Sequence, residues 1–554
     1  MIMGIQMSEK SDISHYHVLV IGSGGAGIRA ALEAVKYGTV CIVSKTITGK
    51  GGCTVMAEGG INGAVNPADS CSSHFEDTTK GGAYLNDEQL VRILTDEAPD
   101  RIWELVQWGA CFEVTKDCTL AQRPFGGQKF PRTCYAGDHT GHEIVMTLLE
   151  QLRASNAEIR DETYAIELIK AGDAVCGAVL LDAAGTLSAV TTDAVVLATG
   201  GAGQLYPVTT NSTAGTGDGY ALAYRAGAEL IDMEEVQFHP TGAVKPADSR
   251  GRLITEAVRG EGGVLKNTAG ERFMKTYDAA RMELSTRDVV ARAIATEIAA
   301  GRGTKDGGVY LDVSHLPAET IESRLPLMLS QFLKAGIDIR HEAMEVAPTA
   351  HHFMGGVRIT PDAESSLSGL FAAGETAGGV HGGNRLGGNA LAETQVFGKR
   401  AGASAGKMPA NDSAGVKAAA ESALDKAAER ISAFFSGTAS PAAVKYELQQ
   451  IMWNNVGIYR NELDLRRAER EIKRLSGLRL HASSKEEIPA AVTVENMLTT
   501  ASLVVSGALL RRESRGSHTR TDIQVPWTNE TSPFGHTWFI RDKAGIEIRE
   551  EHLQ

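Results

Sequence analysis

Three glycines near the start of the chain have the spacing of a phosphate-binding turn. Gly22, Gly24 and Gly27 form G-x-G-x-x-G, directly after the apolar run "YHVLVI" and at the opening of an amphipathic segment. In that context the backbone N–H groups and the positive end of a helix face a pyrophosphate. The spacing predicts a dinucleotide site, and the alternative is a plain tight turn between a strand and a helix.

The strand that follows this helix bears on which dinucleotide binds. The simplest NAD sites carry an acidic residue at the tip of that strand, where it holds a ribose 2′-hydroxyl. Here the strand ends in Ser44 and Lys45. The absence of a carboxylate at this point in the sequence disfavours NAD.

A second set of candidates consists of polar residues that lie far apart in the sequence. Each follows a predicted strand or loop and stands beside small residues, as polar groups that enter a cleft do. Histidine, threonine and arginine side chains can donate hydrogen bonds to an anionic ligand. The bland alternative for each is a satisfied structural histidine or a surface arginine. The residues are His239, Thr255, His351 and Arg385.

The elements that must position these residues can be read from three glycine-rich islands. Residues 16–45 read as strand, glycine turn, helix and strand, which is a βαβ unit. Further islands at 194–203 and 369–391 have the same texture. Three such islands predict one ligand-binding domain that an insertion interrupts.

Composition excludes several classes of function. The 554 residues carry a formal charge of -13, so nucleic acid and anionic membranes are disfavoured as main partners. The start, "MIMGIQMSEKSDISHYH", does not resemble a signal peptide, and the late run "NMLTTASLVVSGALL" is shorter than the ~20 residues of a spanning helix. We therefore expect a cytoplasmic chain with no membrane span of its own.

Cysteine usage argues against a disulfide framework and against a metal or iron–sulfur site held by this chain alone. The number of cysteines is odd and no CxxC pair occurs. Any iron–sulfur cluster would have to belong to a partner. The seven cysteines are Cys41, Cys53, Cys71, Cys111, Cys118, Cys134 and Cys176.

Many separate motifs occur in the order seen in one enzyme family. They run from "IGSGGAGIRAAL" and "AEGGINGAV" through "LATGGAG", "VQFHPTG", "TEAVRGEGG", "STRDVVARAI" and "APTAHHFMGGV" to "AAGETAGGVHGGNRLGGNAL". In these motifs the chain resembles the flavoprotein subunits of succinate dehydrogenase and fumarate reductase. The resemblance covers about residues 16–400 and continues in "LLRRESRGSH".

The resemblance implies an α/β fold with several parts. We expect a Rossmann-like FAD-binding domain that an α+β capping domain interrupts, followed by a helical domain and a small C-terminal segment. The predicted bounds are 16–235 and 351–405 for the FAD-binding domain, 236–350 for the capping domain, 411–520 for the helical domain and 521–554 for the C-terminal segment.

The resemblance also assigns roles in the interconversion of fumarate and succinate. His351 and Arg385 would hold one carboxylate of the substrate, while His239 and Thr255 would hold and twist the other. Arg287 would be the proton donor. Arginine is an unusual acid because its pKa normally exceeds ~12, so Glu256 and Arg259 would relay the proton to it. A structural salt bridge between Glu256 and one of the arginines is the alternative.

Cofactor contacts follow from the same resemblance. A serine after the second strand is usual in this family, so Ser44 and Lys45 fit FAD better than NAD. The residues expected to contact FAD are Gly22, Gly24, Gly25, Gly27, Ser44, Lys45, Gly59, Gly60, Asp218, Glu375, Asn389 and Leu391.

Cys53 stands where covalently flavinylated relatives carry the histidine that links FAD. Residues 44–60 contain no histidine, so we expect non-covalent FAD. A small packing residue is the favoured interpretation of Cys53, and a reactive thiol or a cysteinyl-flavin bond are the alternatives. Loss of the link makes a bound flavin harder to reduce, which favours fumarate reduction. The soluble fumarate reductases that use the thiols coenzyme M and coenzyme B resemble this profile.

Succinate dehydrogenase and L-aspartate oxidase are the nearest alternative functions. Gln122 is neutral where the oxidase is expected to carry an acidic residue for the substrate ammonium. A flavin-carrying scaffold without a substrate is a third alternative, but it predicts loss of the polar candidates, which are all present. For a fumarate reductase or a succinate dehydrogenase, the resemblance further implies a partner that carries the iron–sulfur clusters.

Overall fold

The computed structural model describes residues 13–411, 413–523, 534–542 and 545–552. Residues 1–12, which make up most of the start that we compared with a signal peptide, lie outside the described residues. Residues 524–533 of the predicted C-terminal segment also lie outside them. The α-helices are α1 Gly25–Ala34, α2 Cys71–Gly81, α3 Glu88–Gln107, α4 Thr140–Arg153, α5 Asp218–Ala226, α6 Glu256–Gly260, α7 Met274–Tyr277, α8 Arg287–Glu297, α9 Ala318–Arg324, α10 Pro326–Lys334, α11 Asn389–Gly406, α12 Ser413–Phe434, α13 Pro441–Asn455, α14 Glu462–Ser476 and α15 Ile488–Leu510.

The strands form several sheets. They are β1 Ile13–Ile21, β2 Val40–Val43, β3 Ile61–Asn62, β4 Gln122–Arg123, β5 Thr133–Cys134, β6 Glu158–Arg160, β7 Thr163–Ala171, β8 Ala174–Asp182, β9 Leu187–Leu197, β10 Leu230–Ile231, β11 Val236–Ala243, β12 Val264–Lys266, β13 Val309–Asp312, β14 Met344–Phe353, β15 Gly356–Arg358, β16 Leu370–Ala372, β17 Ala377–Gly378, β18 Tyr459–Arg460, β19 Thr519–Arg520, β20 Phe534–Asp542 and β21 Gly545–His552.

The largest sheet brings the three glycine islands together. Its order is β6-β2-β1-β9-β8-β7, and β16 also pairs with β9. Strands β1, β9 and β16 are parallel, so their carboxyl ends lie at one edge. Each of these three strands runs directly into one of the glycine islands. An open parallel sheet binds its ligands at this edge, which confirms the α/β fold predicted from sequence.

The residues between β11 and β14 build a second hydrophobic core. Strands β11, β14, β13 and β12 form a separate four-stranded sheet. Its apolar side chains pack with those of α8 and α10 in a cluster distinct from that of the large sheet. This core coincides in sequence with the segment that we expect to be the capping domain.

Helix α15 is longer than the uncharged run "NMLTTASLVVSGALL" that it contains. The helical segment Lys485–Leu510 is 26 residues long and apolar. Among the described residues it is the one helix whose length and composition would allow it to span a membrane. However, 72% of its most apolar window is buried inside the protein. Contact with α5, α13 and α14 makes it the centre of the helical part.

The C-terminal strands return to the main body. Strand β20 pairs with β10, and β21 pairs with β20. The run "HTWFIRD" lies within β20.

Candidate active site

A single cleft at the carboxyl edge of the large sheet contains most of the predicted site residues. It continues between the large sheet and the second core. The predicted residues that line it are Gly22, Gly24, Gly25, Ser44, Lys45, Gly59, Gly60, Asp218, His239, Thr255, Glu256, Arg287, His351, Glu375, Arg385 and Leu391.

Three predicted residues do not line the cleft. Gly27 faces the sheet, Asn389 lies beneath the start of α11, and Arg259 lies behind Glu256. Asn389 accepts a hydrogen bond from Asn62 and donates one to Thr78, so it anchors α11 from inside. Its role is that of a support for the cleft wall in this structure.

The glycine turn has the geometry that a pyrophosphate requires. Gly22 has φ +111°, and a β-carbon there would lie 2.2 Å from the carbonyl oxygen of Ala198. A β-carbon on Gly27 would lie 1.9 Å from the oxygen of Gly22. At Gly24 the nearest atom would be Thr54 Oγ1 at 3.5 Å, so the backbone there is open to the cleft. The first and third glycines therefore fix the turn, and the middle one exposes it.

One end of the cleft is closed by a polar network that sequence reasoning found only in part. Lys45 Nζ donates to the Asp218 carboxylate and, at 2.6 Å, to Thr216 Oγ1. Asn496 of α15 donates to Asp218 Oδ1 at 2.8 Å. Burial opposes ionisation of Asp218, but Lys45 and these donors hold its pKa below the ordinary value. The sequence did not predict a role for Asn496, because no local pattern in a helical run shows which residue will contact a distant residue such as Asp218.

The other end of the cleft carries the polar candidates, and an irregular strand places one of them, His351, beside a second histidine that was not predicted, His352. Gln237 of β11 pairs with His352, and the next residue, Phe238, pairs with Ala350. His351 is therefore the extra residue of a β-bulge. A bulge redirects side chains, so adjacent residues that would alternate in a regular strand, His351 and His352, both line the cleft.

His239, His351 and Arg385 lie close together. The two imidazole rings have centroids 5.0 Å apart, and Arg385 Nη2 donates to His351 Nε2 at 2.9 Å. Because Nε2 accepts, the Nδ1–H of neutral His351 donates to Thr210 Oγ1 at 2.6 Å. Burial and the neighbouring cations hold the pKa of both histidines well below the ordinary value. Both histidines are therefore neutral, and the positive charge belongs to arginine.

Arg287 forms an ion pair with Glu256 at the wall of the same end. Arg287 Nε and Nη2 lie 2.8 and 2.7 Å from Glu256 Oε2, while Oε1 accepts from the Gly126 N–H at 2.7 Å. Arg259 Nη2 lies 3.7 Å from Oε1 on the buried side. Burial would raise the pKa of Glu256, but the two arginines lower it. One carboxylate thus connects an arginine at the cleft with an arginine in the interior.

The sequence matches two family models. An FAD binding domain matches residues 17–391, and the C-terminal domain of fumarate reductase flavoproteins matches residues 445–554. The chain belongs to the fumarate reductase and succinate dehydrogenase flavoprotein family. It is an FAD-dependent oxidoreductase of that family.

Similar proteins include several members of this family. One polypeptide of the fumarate reductase (CoM/CoB) of Methanothermobacter marburgensis is 52% identical over 526 residues, which cover 93% of this chain and 95% of that protein. The chloroplastic L-aspartate oxidase of Arabidopsis thaliana is 39% identical, with 95% of this chain and 83% of the oxidase covered. The structure of E. coli quinol fumarate reductase FrdA superimposes with a TM-score of 0.91 at 31% identity, covering 98% of this chain and 97% of the other.

The cleft fits the FAD of this family. The open backbone at Gly24 suits a pyrophosphate, and the start of α11 adds a second helix end at Gly388, Ala390 and Leu391, which line the cleft. Gly24 and Gly388, which precede α1 and α11, provide no side-chain cap. The first N–H of α1, at Gly25, donates to Thr54 Oγ1 at 3.1 Å, and the first N–H of α11, at Asn389, donates to the carbonyl oxygen of Leu386 at 3.3 Å.

Cys53 lines the flavoprotein's cleft and is half-buried. Burial and the nearby Glu375 carboxyl raise the pKa of its thiol to about 12. A thiol with this pKa is protonated at neutral pH, and nucleophilic reactions require the thiolate. The environment therefore favours a packing role over a reactive one.

Gln122 does not line the cleft. Its Nε2 donates to the carbonyl oxygen of Gly63 at 2.9 Å. Gln122 is the neutral residue that we used in the sequence to distinguish this chain from an L-aspartate oxidase. Because its amide is bonded outside the cleft, it does not help to distinguish the two functions in this structure.

Proposed function

We propose that this chain is the catalytic flavoprotein subunit of a fumarate reductase, which converts fumarate to succinate. The observation that carries the proposal is the Arg287–Glu256 pair at the cleft wall, in the same end as His239, Thr255, His351 and Arg385. The similarity to fumarate reductases over nearly the whole chain supports it.

Two sets of donors bind the two carboxylates of the substrate. Arg385 and His351 hold one of them: the Arg385 guanidinium donates to the carboxylate, and His351, fixed by its hydrogen bond to Thr210, orients that guanidinium by accepting from its Nη2. His239 and Thr255 hold the other and twist it out of the plane of the double bond. A twisted carboxylate withdraws less charge from the carbon that is attacked, so the substrate is held part-way to its transition state.

When bound, FAD supplies the hydride-transfer chemistry. Arg287 gives its proton to the substrate, and Glu256 and Arg259 replace it. The contact between Arg287 Nε and Glu256 Oε2, at 2.8 Å, is short enough for direct proton exchange. The same ion pair would also serve a purely structural role, and kinetics of an Arg287 variant distinguish the two.

The electron source and the mode of FAD binding extend the proposal. We place an iron–sulfur subunit beside this chain as the source of electrons, with coenzyme M and coenzyme B as donors. FAD is bound without a covalent link, because Cys53 occupies the position of the linking histidine. The complex is cytoplasmic.

L-aspartate oxidase is the second candidate, favoured by the 39% identity to the Arabidopsis enzyme. Since Gln122 lies outside the cleft, the distinction depends on the reaction itself. An oxidase releases hydrogen peroxide when it oxidises L-aspartate, whereas a fumarate reductase does not.

The test is anaerobic reduction of fumarate with a reduced viologen dye. Arg287→Lys should lower kcat by about 100-fold or more, since proton transfer by a positioned group contributes about 10²–10⁴-fold. FAD content should stay unchanged. The matched control is Arg292→Lys on the same helix, where Arg292 pairs with Asp288 away from the cleft and activity should be retained. Equal activity of Arg287→Lys and wild type, or peroxide from L-aspartate without fumarate turnover, would overturn the proposal.

A further inference from the structure

Four titratable side chains, three of them buried, form a cluster that the proposed reaction does not use as acids or bases. His352 Nδ1 lies 3.6 Å from Glu375 Oε1, and the rings of His352 and His381 have centroids 5.4 Å apart. His381 Nε2 lies 2.9 Å from Glu393 Oε2. We name these residues, His352, Glu375, His381 and Glu393, the Glu375 cluster.

The cluster extends from the cleft into the interior. Glu375 and His352 line the cleft, whereas His381 and Glu393 do not. Glu375 is held tightly, because the Phe353 N–H donates to Oε1 at 2.9 Å and a β-carbon on Gly201 would lie 2.1 Å from that atom. Its carboxyl is therefore fixed at the boundary between the FAD site and the protein interior.

Several nitrogen and oxygen atoms of the cluster are buried and form no hydrogen bond within the described part of the chain. Among the described residues, three of its polar atoms are buried without a hydrogen-bond partner: His352 Nε2, His381 Nδ1 and Glu393 Oε1. The side chains that carry them are 5%, 3% and 1% exposed. Unpaired polar atoms are costly in a protein interior, so a cluster with three of them calls for a functional account.

We propose that Glu375 takes up one proton from solvent when two electrons enter the adjacent FAD site, and that His352, His381 and Glu393 position this carboxyl for the uptake. Electrons that enter a buried site add negative charge, and a nearby group that binds a proton compensates that charge. This uptake is separate from the proton that Arg287 gives to the substrate, since Arg287 pairs with Glu256 and Glu256 with Arg259, and none of the three belongs to the Glu375 cluster.

The charges that surround Glu375 place its titration in the physiological range. Burial, opposed by the Phe353 N–H and Arg385 and assisted by Glu393, raises the pKa of Glu375 to about 7. Burial and the cations around it hold the pKa of His352 well below the ordinary value, so this histidine is neutral. The titratable and charged groups that face the cluster from neighbouring elements are Cys53, Tyr220, Arg287, His351 and Arg385.

The proton and electron balance gives a measurable quantity. Two electrons come from an external reductant, and each proton taken up with them shifts the two-electron potential by about 30 mV per pH unit. One proton more than the cofactor itself takes up therefore steepens the dependence of the potential on pH. The measurement requires bound FAD but no fumarate turnover, so its outcome is independent of the proposed function.

The experiment is an anaerobic redox titration of the FAD-loaded chain between pH 6 and 8, followed by absorbance. Above pH 7, where Glu375 is ionised before reduction, wild type should show a slope steeper by about 30 mV per pH unit than Glu375→Gln, and towards pH 6 the two slopes should converge. Glu393 does not line the cleft. In Glu393→Gln the potential should still show the steeper pH dependence, but the steeper part should begin at a lower pH than in wild type. This substitution removes a carboxyl whose charge raises the pKa of Glu375. Proton uptake can also be followed with a pH indicator in weak buffer at pH 8, where Glu375→Gln should take up about one proton fewer than wild type.

The matched control is Glu235→Gln. Glu235 is a buried carboxyl whose pKa is also raised by burial, but it does not line the cleft. It should keep the wild-type slope. Equal slopes above pH 7 in wild type and Glu375→Gln would overturn the proposal, and so would an equal loss of slope in Glu235→Gln. If Glu375→Gln fails to retain FAD, the indicator measurement on Glu393→Gln decides. An unchanged pH dependence of proton uptake in that variant overturns the proposal.

Discussion

Gly27 occupies a position where the glycine turn leaves no room for a β-carbon. A β-carbon there would lie 1.9 Å from the carbonyl oxygen of Gly22, a backbone atom that cannot move without opening the turn. We expect Gly27→Ala to destabilise the chain by about 1–3 kcal/mol and to lower its FAD content. Gly477→Ala is the control, since Gly477 ends α14 with φ -84° and its β-carbon would meet nothing closer than 3.4 Å. Full FAD content in Gly27→Ala, measured by flavin absorbance, would contradict this account of the turn.

Cys53 can be tested by denaturing the chain in acid and separating protein from small molecules. Because its thiol is protonated at neutral pH, we expect all FAD in the soluble fraction from wild type and from Cys53→Ser alike. FAD that stays with the wild-type polypeptide but not with Cys53→Ser would show that the cysteine is a flavin anchor.

Individual residues differ in how far sequence could place them. Gly22 and Gly24 could be predicted because a strand, a turn and a helix in direct succession fix their geometry locally. His351 could be named from its motif, but the bulge that brings His352 to the cleft with it depends on pairing with Gln237, more than 100 residues away in sequence. Asn496 depends on the packing of α15 against α5 and has no local signal.

At the scale of elements, one side chain joins the two hydrophobic cores. Asp138, which precedes α4, accepts hydrogen bonds from the N–H groups of Leu327 and Met328 at 3.1 and 3.0 Å. These are free donors in the first turn of α10, so Asp138 caps a helix that lies nearly 190 residues further on.

We expect Asp138→Ala to destabilise the attachment of α10 by about 1–2 kcal/mol. Hydrogen exchange in α10 should become faster while exchange in α1 stays unchanged. Asp87→Ala is the matched control, because Asp87 caps α3 and should leave α10 unaffected. Uniformly faster exchange throughout the chain would show that Asp138 stabilises the fold generally rather than this contact.

Elements with strong local patterns were predictable, whereas their partners were not. The apolar run "YHVLVI" predicted β1 as a strand of a βαβ unit, and in the structure β1 lies between β2 and β9 with its residues 18–21 buried. The sequence predicted that the glycine islands belong to one domain, but it did not predict that β16 pairs with β9. Two strands so far apart in sequence leave no periodic pattern that would reveal their pairing. The full extent of α15 did not follow from the uncharged run, because the helix begins at Ile488 and the run begins only at Asn496.

At the scale of the whole molecule, buried histidines link folding to pH. His74 is fully buried, and burial together with Arg132 lowers its pKa to about 4. In the unfolded chain its pKa is about 6.5. Between pH 6.5 and 4 the unfolded state therefore binds a proton that the folded state does not, and stability falls as pH falls through this range.

We expect His74→Gln to remove this contribution. The ratio of the unfolding equilibrium constants of wild type and His74→Gln should rise up to tenfold for each pH unit below about 6.5, and should be constant above it. Chemical denaturation at several pH values measures the ratio. His142→Gln, which removes an exposed histidine on α4, should behave as wild type. A ratio independent of pH would show that His74 is protonated in the folded state.

The assembly of the cleft from distant segments also sets a time at which it can exist during protein synthesis. Its walls come from residues near 22, near 200 and near 375, and Asn496 of α15 closes one end. A ribosome must therefore release almost the entire chain before the complete site forms. Early fragments carry the glycine turn but not its opposing walls, so the holoenzyme matures only after translation is nearly finished.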